Sequence, residues 1–271
     1  MKNDSDCPPM TCLCPSDIMS IPEAESNPVH ESITFRSQMS EGIEKVRGVT
    51  ELPLFPLPIV LFPSVPLPLH IFEPRYRQML EDIRLTNNLF GLVYFDSSTS
   101  DRDVPTPGQV GCVAEVTETL TFPDGRSNIL TLGVIRFRIE SYIERGDSYL
   151  VVRVSYFEDD DEDEGSLSKS AVEVGETFTR IARAVRTIND ERMNLPDISD
   201  TEPQRLSFLV AAAMEVEIEV KQELLELRST SERLQRLKGL LNRAVDGYEE
   251  RARIHELAKS NGHSGKKIEI E

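Results

Sequence analysis

Residues 51–80 read ELPLFPLPIVLFPSVPLPLHIFEPRYRQML, and seven of these thirty residues are proline. The prolines stand at 53, 56, 58, 63, 66, 68 and 74, with almost only Leu, Ile, Val and Phe between them. Proline has no backbone N–H to give to a β-ladder, so it is confined to strand edges, strand starts and bends. A ribbon this apolar must be buried, yet it is cut into short lengths. The pattern predicts two kinked strands, Ile59–Phe62 and Leu67–Phe72, with Pro63 and Pro66 bracketing the bend between them. The prolines also keep the ribbon from acting as an adhesive open edge. Pro74 has a different place, the first turn of a helix, where its fixed φ is favourable. Tyr76, Met79, Leu80 and Ile83 then follow at i, i+3, i+4 and i+7, one apolar helix face.

Strand signals continue to residue 157. Phe90–Phe95 is a short apolar run, and Val110, Cys112, Ala114 and Val116 fall on one face of an alternating segment. Phe122-Pro123-Asp124-Gly125 supplies a hairpin turn, since Asp-Gly accepts the positive φ such turns need. Ile135, Phe137 and Ile139 alternate with Arg136, Arg138 and Glu140, and Leu150, Val152, Val154 and Tyr156 share one face. Short strands separated by turns predict a compact barrel or sandwich over 49–157.

The run Glu158–Glu164, EDDDEDE, carries seven of the 47 acidic residues and is expected to stay solvated. It sets residues 158–169 as an acidic linker. Beyond it the period becomes helical over 170–258. Val174, Phe178, Ile181, Val185 and Ile188 form one stripe. Thr201 with Gln204, and Ser229 with Glu232, have the spacing of capping boxes, and Pro203 suits a first turn. Glu215–Val220 reads as a loop or short helix, and Lys221–Leu227 as helical. A long last helix then runs to about Leu257, with Leu234, Leu237, Leu241, Val245 and Tyr248 on its apolar face. Its far end is expected to project, with Glu249 and Arg253 paired at i, i+4. Residues 1–48, rich in Ser, Pro and Glu, and the tail 259–271 read as disordered, and Met39 is an alternative start.

Several functions are disfavoured by composition. The net charge is -17, and the barrel region itself is net -4, which argues against a phosphate-backbone binder. Arg126, Arg136 and Arg138 are the basic residues that could still cluster for RNA. No run of about 18 apolar residues is present, so no membrane span is expected. Without a signal-peptide pattern, the chain reads as soluble and cytoplasmic. Cys7, Cys12 and Cys14 lack a fourth metal ligand nearby, and Cys112 lies in a core strand pattern. His30, His70, His255 and His263 have no metalloprotease spacing, and His70 reads as a structural histidine. No phosphate-loop pattern occurs, since Gly262 and Gly265 have only two residues between them. No cofactor or metal is expected, and no catalytic constellation is visible.

The ribbon at 51–80 closely resembles the opening of the Lon protease N-terminal substrate-binding domain. The resemblance continues through FGLVYFD (90–96), VGCVAEV (110–116), ILTLGVIRFRIE (129–140) and KQELLELRSTSERLQRLKGLL (221–241). It implies an α+β fold, a PUA-like β-barrel followed by an α-helical bundle. The ATPase and peptidase modules of full-length Lon proteases have no counterpart in these residues, so the resemblance implies a stand-alone, non-enzymatic polypeptide binder. Its partners would be unfolded or client proteins. Phe55, Tyr76 and Phe122 are candidate groove residues and Arg75 a candidate carboxylate partner, although ordinary core packing also accounts for Phe55 and Tyr76. Phe122, at a hairpin tip, is the hardest of these to bury. Two other readings stay open: an adaptor docking its last helix onto a separate ATP-dependent protease, and a PUA-like RNA binder.

Overall fold

A computed structural model describes residues 41–96, 98, 100, 104–191 and 197–262. The readings for Cys7, Cys12, Cys14, His30, Met39 and His263 lie outside them. Six strands come first: β1 (Glu51–Leu57), β2 (Pro66–Ile71), β3 (Leu89–Tyr94), β4 (Val110–Thr121), β5 (Ser127–Tyr142) and β6 (Leu150–Phe157), with helix α1 (Pro74–Arg84) between β2 and β3. The sheet order is β2-β5-β4-β3-β1-β6, and β5 also pairs with β6. That extra pairing closes β1, β3, β4, β5 and β6 into a barrel. β5 has sixteen residues, enough for two jobs. Its Arg136–Tyr142 half closes the ring on β6, while Ser127–Leu132 pairs with β2, which rides outside.

Alternation along the strands divides the apolar residues. Leu52, Leu54, Val93, Val113, Ile135, Phe137, Ile139 and Val152 pack together inside the ring. Phe137 lies across Gly91 and Gly111, where an added Cβ would stand 2.7 and 2.8 Å from its Cζ. The opposite face is apolar too: Phe55, Phe90, Leu92 and Cys112 pack with α1 and the later helices in a second core. Val46 packs with the interior set and is buried, and residues 41–45 form a short helix, so this part of the stretch expected to be disordered up to 48 is folded.

The proline ribbon folds differently from its local reading. Residues 59–62 are a loop, and the strand is β1, which contains Pro53 and Pro56. Pro53 stands where β1 pairs only with β6, and Pro56 where it pairs only with β3. Each half therefore has one side without a ladder, where a missing N–H is tolerated. The loop presses on β5: Ser64 N–H donates to Gly133 O at 2.8 Å, and Gly133 N–H to Val65 O at 3.0 Å.

The helices are α2 (Glu164–Asn189), α3 (Pro203–Ala213), α4 (Ile218–Glu226) and α5 (Thr230–Gly262). α2 begins inside the expected linker, capped by the Asp163 carboxylate, which accepts from Ser166 N–H at 2.9 Å. Ser229 Oγ caps α5 through Glu232 N–H, but Glu232 turns to Arg236 rather than closing the box. Thr201 and Gln204 form no box; Glu202 holds the cap position without a side-chain bond, and Pro203 takes the first turn. α5 does not project. It is tied along α2 by Lys238–Glu173, by Arg180–Glu249 at 2.8 Å, and by His255 and Lys259 to Asp190. Glu249 thus pairs across helices, and Arg253 pairs with Glu250.

The acidic run also departs from its reading. Asp159 has a side chain only 2% exposed and bonds two buried guanidinium groups, Arg136 of β5 and Arg233 of α5. Thr230 Oγ1 donates to the same carboxylate at 2.5 Å. Arg136 also donates to Leu225 O at 3.0 Å, and Arg233 to Ser207 Oγ at 2.7 Å and Leu227 O at 3.0 Å. The Phe208 ring lies between the two guanidiniums, 5.4 Å from Arg136 and 4.0 Å from Arg233. Barrel, linker and helices thus share one buried ionic cluster.

Burial pushes the Asp159 carboxyl up, but the charges of Arg233 and Arg136 outweigh it and hold the group below its ordinary value. Its contribution to stability is therefore present above the unfolded value of about 3.9 and is lost as pH falls through the lower folded value. Asp159→Ala leaves two buried cations uncompensated and should cost about 3–5 kcal/mol in urea unfolding. Asp161→Ala, on an exposed neighbour, should change stability by about 0.5 kcal/mol or less. Equal effects would remove the special role of Asp159. In Gly133→Ala the new Cβ would fall 2.1 Å from Phe62 O, so this variant should lose about 1–3 kcal/mol in the same assay.

Candidate functional site

The β4–β5 hairpin extends past the barrel, and the last five residues of β4, Thr117–Thr121, are mostly exposed. At its tip Phe122 N–H donates to Arg126 O at 2.8 Å, and Gly125 N–H to Phe122 O at 2.9 Å. Gly125 has φ +83°, as the Asp-Gly reading required. Asp124 accepts from the Arg126 backbone N–H at 3.0 Å and from its Nε at 2.7 Å, and these bonds hold its carboxyl below the ordinary value. The guanidinium of Arg77 lies against Gly125, 1.9 Å from where a Cβ would be, so α1 braces the turn.

The register brings separate strands into one row. Leu120 of β4 faces Asn128 of β5, and Asn128 faces His70 of β2. His70 Nδ1 and Asn128 Oδ1 are 2.6 Å apart, so Nδ1 carries the hydrogen that Asn128 accepts. His70 is therefore held as a structural, hydrogen-bonded residue on an exposed face. Phe72 and Phe122 are two residues beyond His70 and Leu120 and project on the same side. The His70 ring stacks on Phe72 at 5.9 Å and lies 6.4 Å from Phe122. Leu120 is 61% exposed and Phe72 43%, while Phe122 is half-buried. The opposite face of β2 carries Leu67, Leu69 and Ile71 into the core. Three large apolar side chains, arranged around an imidazole, form an exposed apolar face.

Of the four candidate groove residues, Phe55, Arg75, Tyr76 and Phe122, only Phe122 lies here. Phe55 and Tyr76 are buried, with ring centroids 4.0 Å apart, in the core under α1. Burial, with the charge of Glu73 and against that of Arg75, raises the Tyr76 hydroxyl above its ordinary value. Arg75 is exposed at the start of α1, but it pairs with Glu73 at 2.9 Å and covers the Tyr76 ring at 4.6 Å. Phe72 and Leu120 were missed. Leu120 and Phe122 alternate with Thr119 and Thr121, a signal that β4 runs on to the turn.

The three arginines weighed for RNA do not gather. Arg126 pairs with Asp124, Arg136 is buried on Asp159, and Arg138 donates to Gly108 O at 2.7 Å. Among the described residues no three His, Cys, Asp or Glu side chains converge for a metal, and no helix is long and apolar enough to cross a membrane. Burial pushes the Cys112 thiol up to about 12, which keeps it protonated.

A sequence model of the ATP-dependent protease La (LON) substrate-binding domain matches residues 51–243, from β1 into α5. Lon protease 1 of Syntrophobacter fumaroxidans is 30% identical over 211 residues, 75% of this chain and 25% of that protein. Lon protease of Escherichia coli is 26% identical over 214 residues, 77% of this chain and 27% of that protein. The chain thus spans about a quarter of the length of these curated relatives. The crystal structure of a Lon N-terminal domain protein from Xanthomonas campestris superposes with a TM-score of 0.52 at 25% identity, covering 70% of this chain and 97% of that one. The N-terminal domain of Mycobacterium avium complex Lon protease shares the fold, with a TM-score of 0.54 at 17% identity, over 71% of this chain and 98% of that one.

Proposed function

Because the chain belongs to the substrate-binding domain family of the ATP-dependent protease La (LON), we propose that it is a polypeptide-binding module that acts by holding client chains rather than by catalysis. The observation that carries this reading is the exposed row on β4, β5 and β2, with Leu120, Phe72 and Phe122 around His70. Unfolded chains display apolar side chains that folded proteins hide, and such a face takes them out of water. Each large side chain fully buried contributes about 1.5–3 kcal/mol. The three here are already partly covered, so the patch supports weak, releasable capture.

The mode of capture is by side chains. β2 is the outer strand of the sheet, but Pro66 and Pro68 remove donors from it. An incoming strand would find an interrupted ladder. The adaptor reading, docking onto a separate ATP-dependent protease, drew on a projecting last helix; α5 is instead tied to α2 along its length. The apolar row is the stronger support, and it favours clients over a docking partner.

The test is fluorescence anisotropy with a labelled, permanently unfolded polypeptide such as reduced, carboxymethylated lactalbumin. Phe72→Ser combined with Phe122→Ser should weaken binding about tenfold or more, which is about 1.4 kcal/mol. Val172→Ser, on the exposed face of α2, should leave it unchanged. Both variants should keep the wild-type urea midpoint. Undiminished binding by the folded double variant would place the client elsewhere.

A further inference from the structure

One polar atom stands at the centre of the apolar row without a partner. His70 Nδ1–H donates to Asn128 Oδ1 at 2.6 Å. In a neutral imidazole one nitrogen donates and the other accepts. Asn128 thus fixes the tautomer, and Nε2 carries a lone pair and no hydrogen. Nε2 lies on the far side of the ring from Cβ, turned away from the β2 backbone. His70 is exposed, and among the described residues nothing donates to this atom.

The rings beside it hold the imidazole in place. Phe72 stacks on His70 with an interplanar angle of 22°, and Phe122 is tilted by 57°. Their centroid distances, 5.9 and 6.4 Å, fall within the range of about 4.5–7 Å for aromatic contacts. Leu120 faces Asn128, the residue that orients the ring. The nearby cations are used elsewhere: Arg126 pairs with Asp124, Arg75 with Glu73, and Arg77 lies against Gly125. One acceptor is therefore set among three apolar side chains.

A client side chain that buries this row must meet two demands. It must cover the apolar atoms, and it must give Nε2 a hydrogen, because an acceptor shut off from water without a donor is destabilising. Leu, Ile and Phe meet only the first. Ser and Thr meet the second with little apolar area. Lys and Arg bring donors, but their charge would lose its hydration against Leu120, Phe72 and Phe122. Tryptophan meets both, since it has a large apolar ring system and an indole N–H that donates and has no acceptor to satisfy. Tyrosine ranks second, because its hydroxyl also accepts and asks for a further partner.

We infer, resting on the polypeptide-binding reading above, that His70 is a specificity-determining residue that accepts the indole N–H of a client tryptophan at Nε2, with Asn128 as the positioning residue. A site built around a hydrogen-bonding group rejects ligands that lack the complement more strongly than an apolar pocket separates ligands by size.

The chain contains no tryptophan, so the indole emission of a bound peptide can be followed without background. The test titrates the full chain into soluble, unstructured, fluorescein-labelled peptides, identical except at one central position. That position is Trp, 3-benzothienylalanine, Tyr or Phe. Benzothienylalanine replaces the indole N–H by sulfur at nearly the same shape and apolar area. By anisotropy the tryptophan peptide should bind about tenfold tighter than its sulfur analogue, and its indole emission should shift to the blue. His70→Phe keeps a ring against Phe72 but removes Nε2, and should make the two affinities equal. Asn128→Ala, which releases the tautomer, should narrow the preference while keeping the wild-type urea midpoint. Equal binding of the two peptides by the wild-type chain, or a preference that survives in His70→Phe, would overturn the inference. A tyrosine peptide that binds most tightly would also overturn it and assign the acceptor to a phenol. The peptide pair is read on the wild-type chain, so the test stands even if a variant fails to fold. If no peptide binds while carboxymethylated lactalbumin does, this inference fails and the client reading stands; if neither binds, both fail.

Discussion

Asp159 places one carboxylate between two buried guanidiniums that come from different parts of the chain, Arg136 from the barrel and Arg233 from the last helix. Two cations and one anion leave an excess positive charge in a space with little water. Backbone carbonyls compensate for it. Leu225 O and Leu227 O lie at the C-terminal end of α4, where a helix carries partial negative charge. Phe208 adds its ring face to both cations. Such a cluster is a poor source of net stability compared with apolar packing, but breaking it is costly. What it supplies is placement: it sets where the helices sit on the barrel.

That placement decides which surfaces stay open. The helices cover the barrel face bearing Leu92, Cys112 and Arg136, and α1 covers the face bearing Phe55 and Phe90. Neither reaches the outward side of the β2 and β4–β5 extension. The extension exists because β5 is longer than the barrel needs, and the Gly125 turn braced by Arg77 ends it. Exposure of Leu120, Phe72 and Phe122 follows from strand length and register, with no further device.

Much of the architecture was legible wherever one short window carries the signal. The stripe Tyr76, Met79, Leu80 and Ile83 is the buried face of α1, and Asp124-Gly125 is the hairpin turn. The failures share a cause: the deciding partner is far away in sequence. Residues 59–62 look like a strand, but Gly133 draws the following loop onto β5, while β1 tolerates its prolines by changing neighbours at Leu54. Asp159 sits in a run that should be solvated, and only the approach of Arg136 and Arg233 makes its burial favourable. Phe55 and Tyr76 have the same composition signal as surface aromatics, and their burial depends on α1 folding back. The site was half legible for this reason. Phe122 is marked by its turn, whereas Phe72 and His70 join it only through the β2–β5 register.

On the proposed function, the barrel and helices present the β2 and β4–β5 extension to client chains. Hydrogen exchange of the full chain, with and without a saturating unfolded polypeptide, tests this most directly. Slowed exchange is expected at amides within 69–72 and 118–126, with α2 and α5 unchanged. Slowing confined to α2 and α5, with the hairpin tip unaffected, would contradict it.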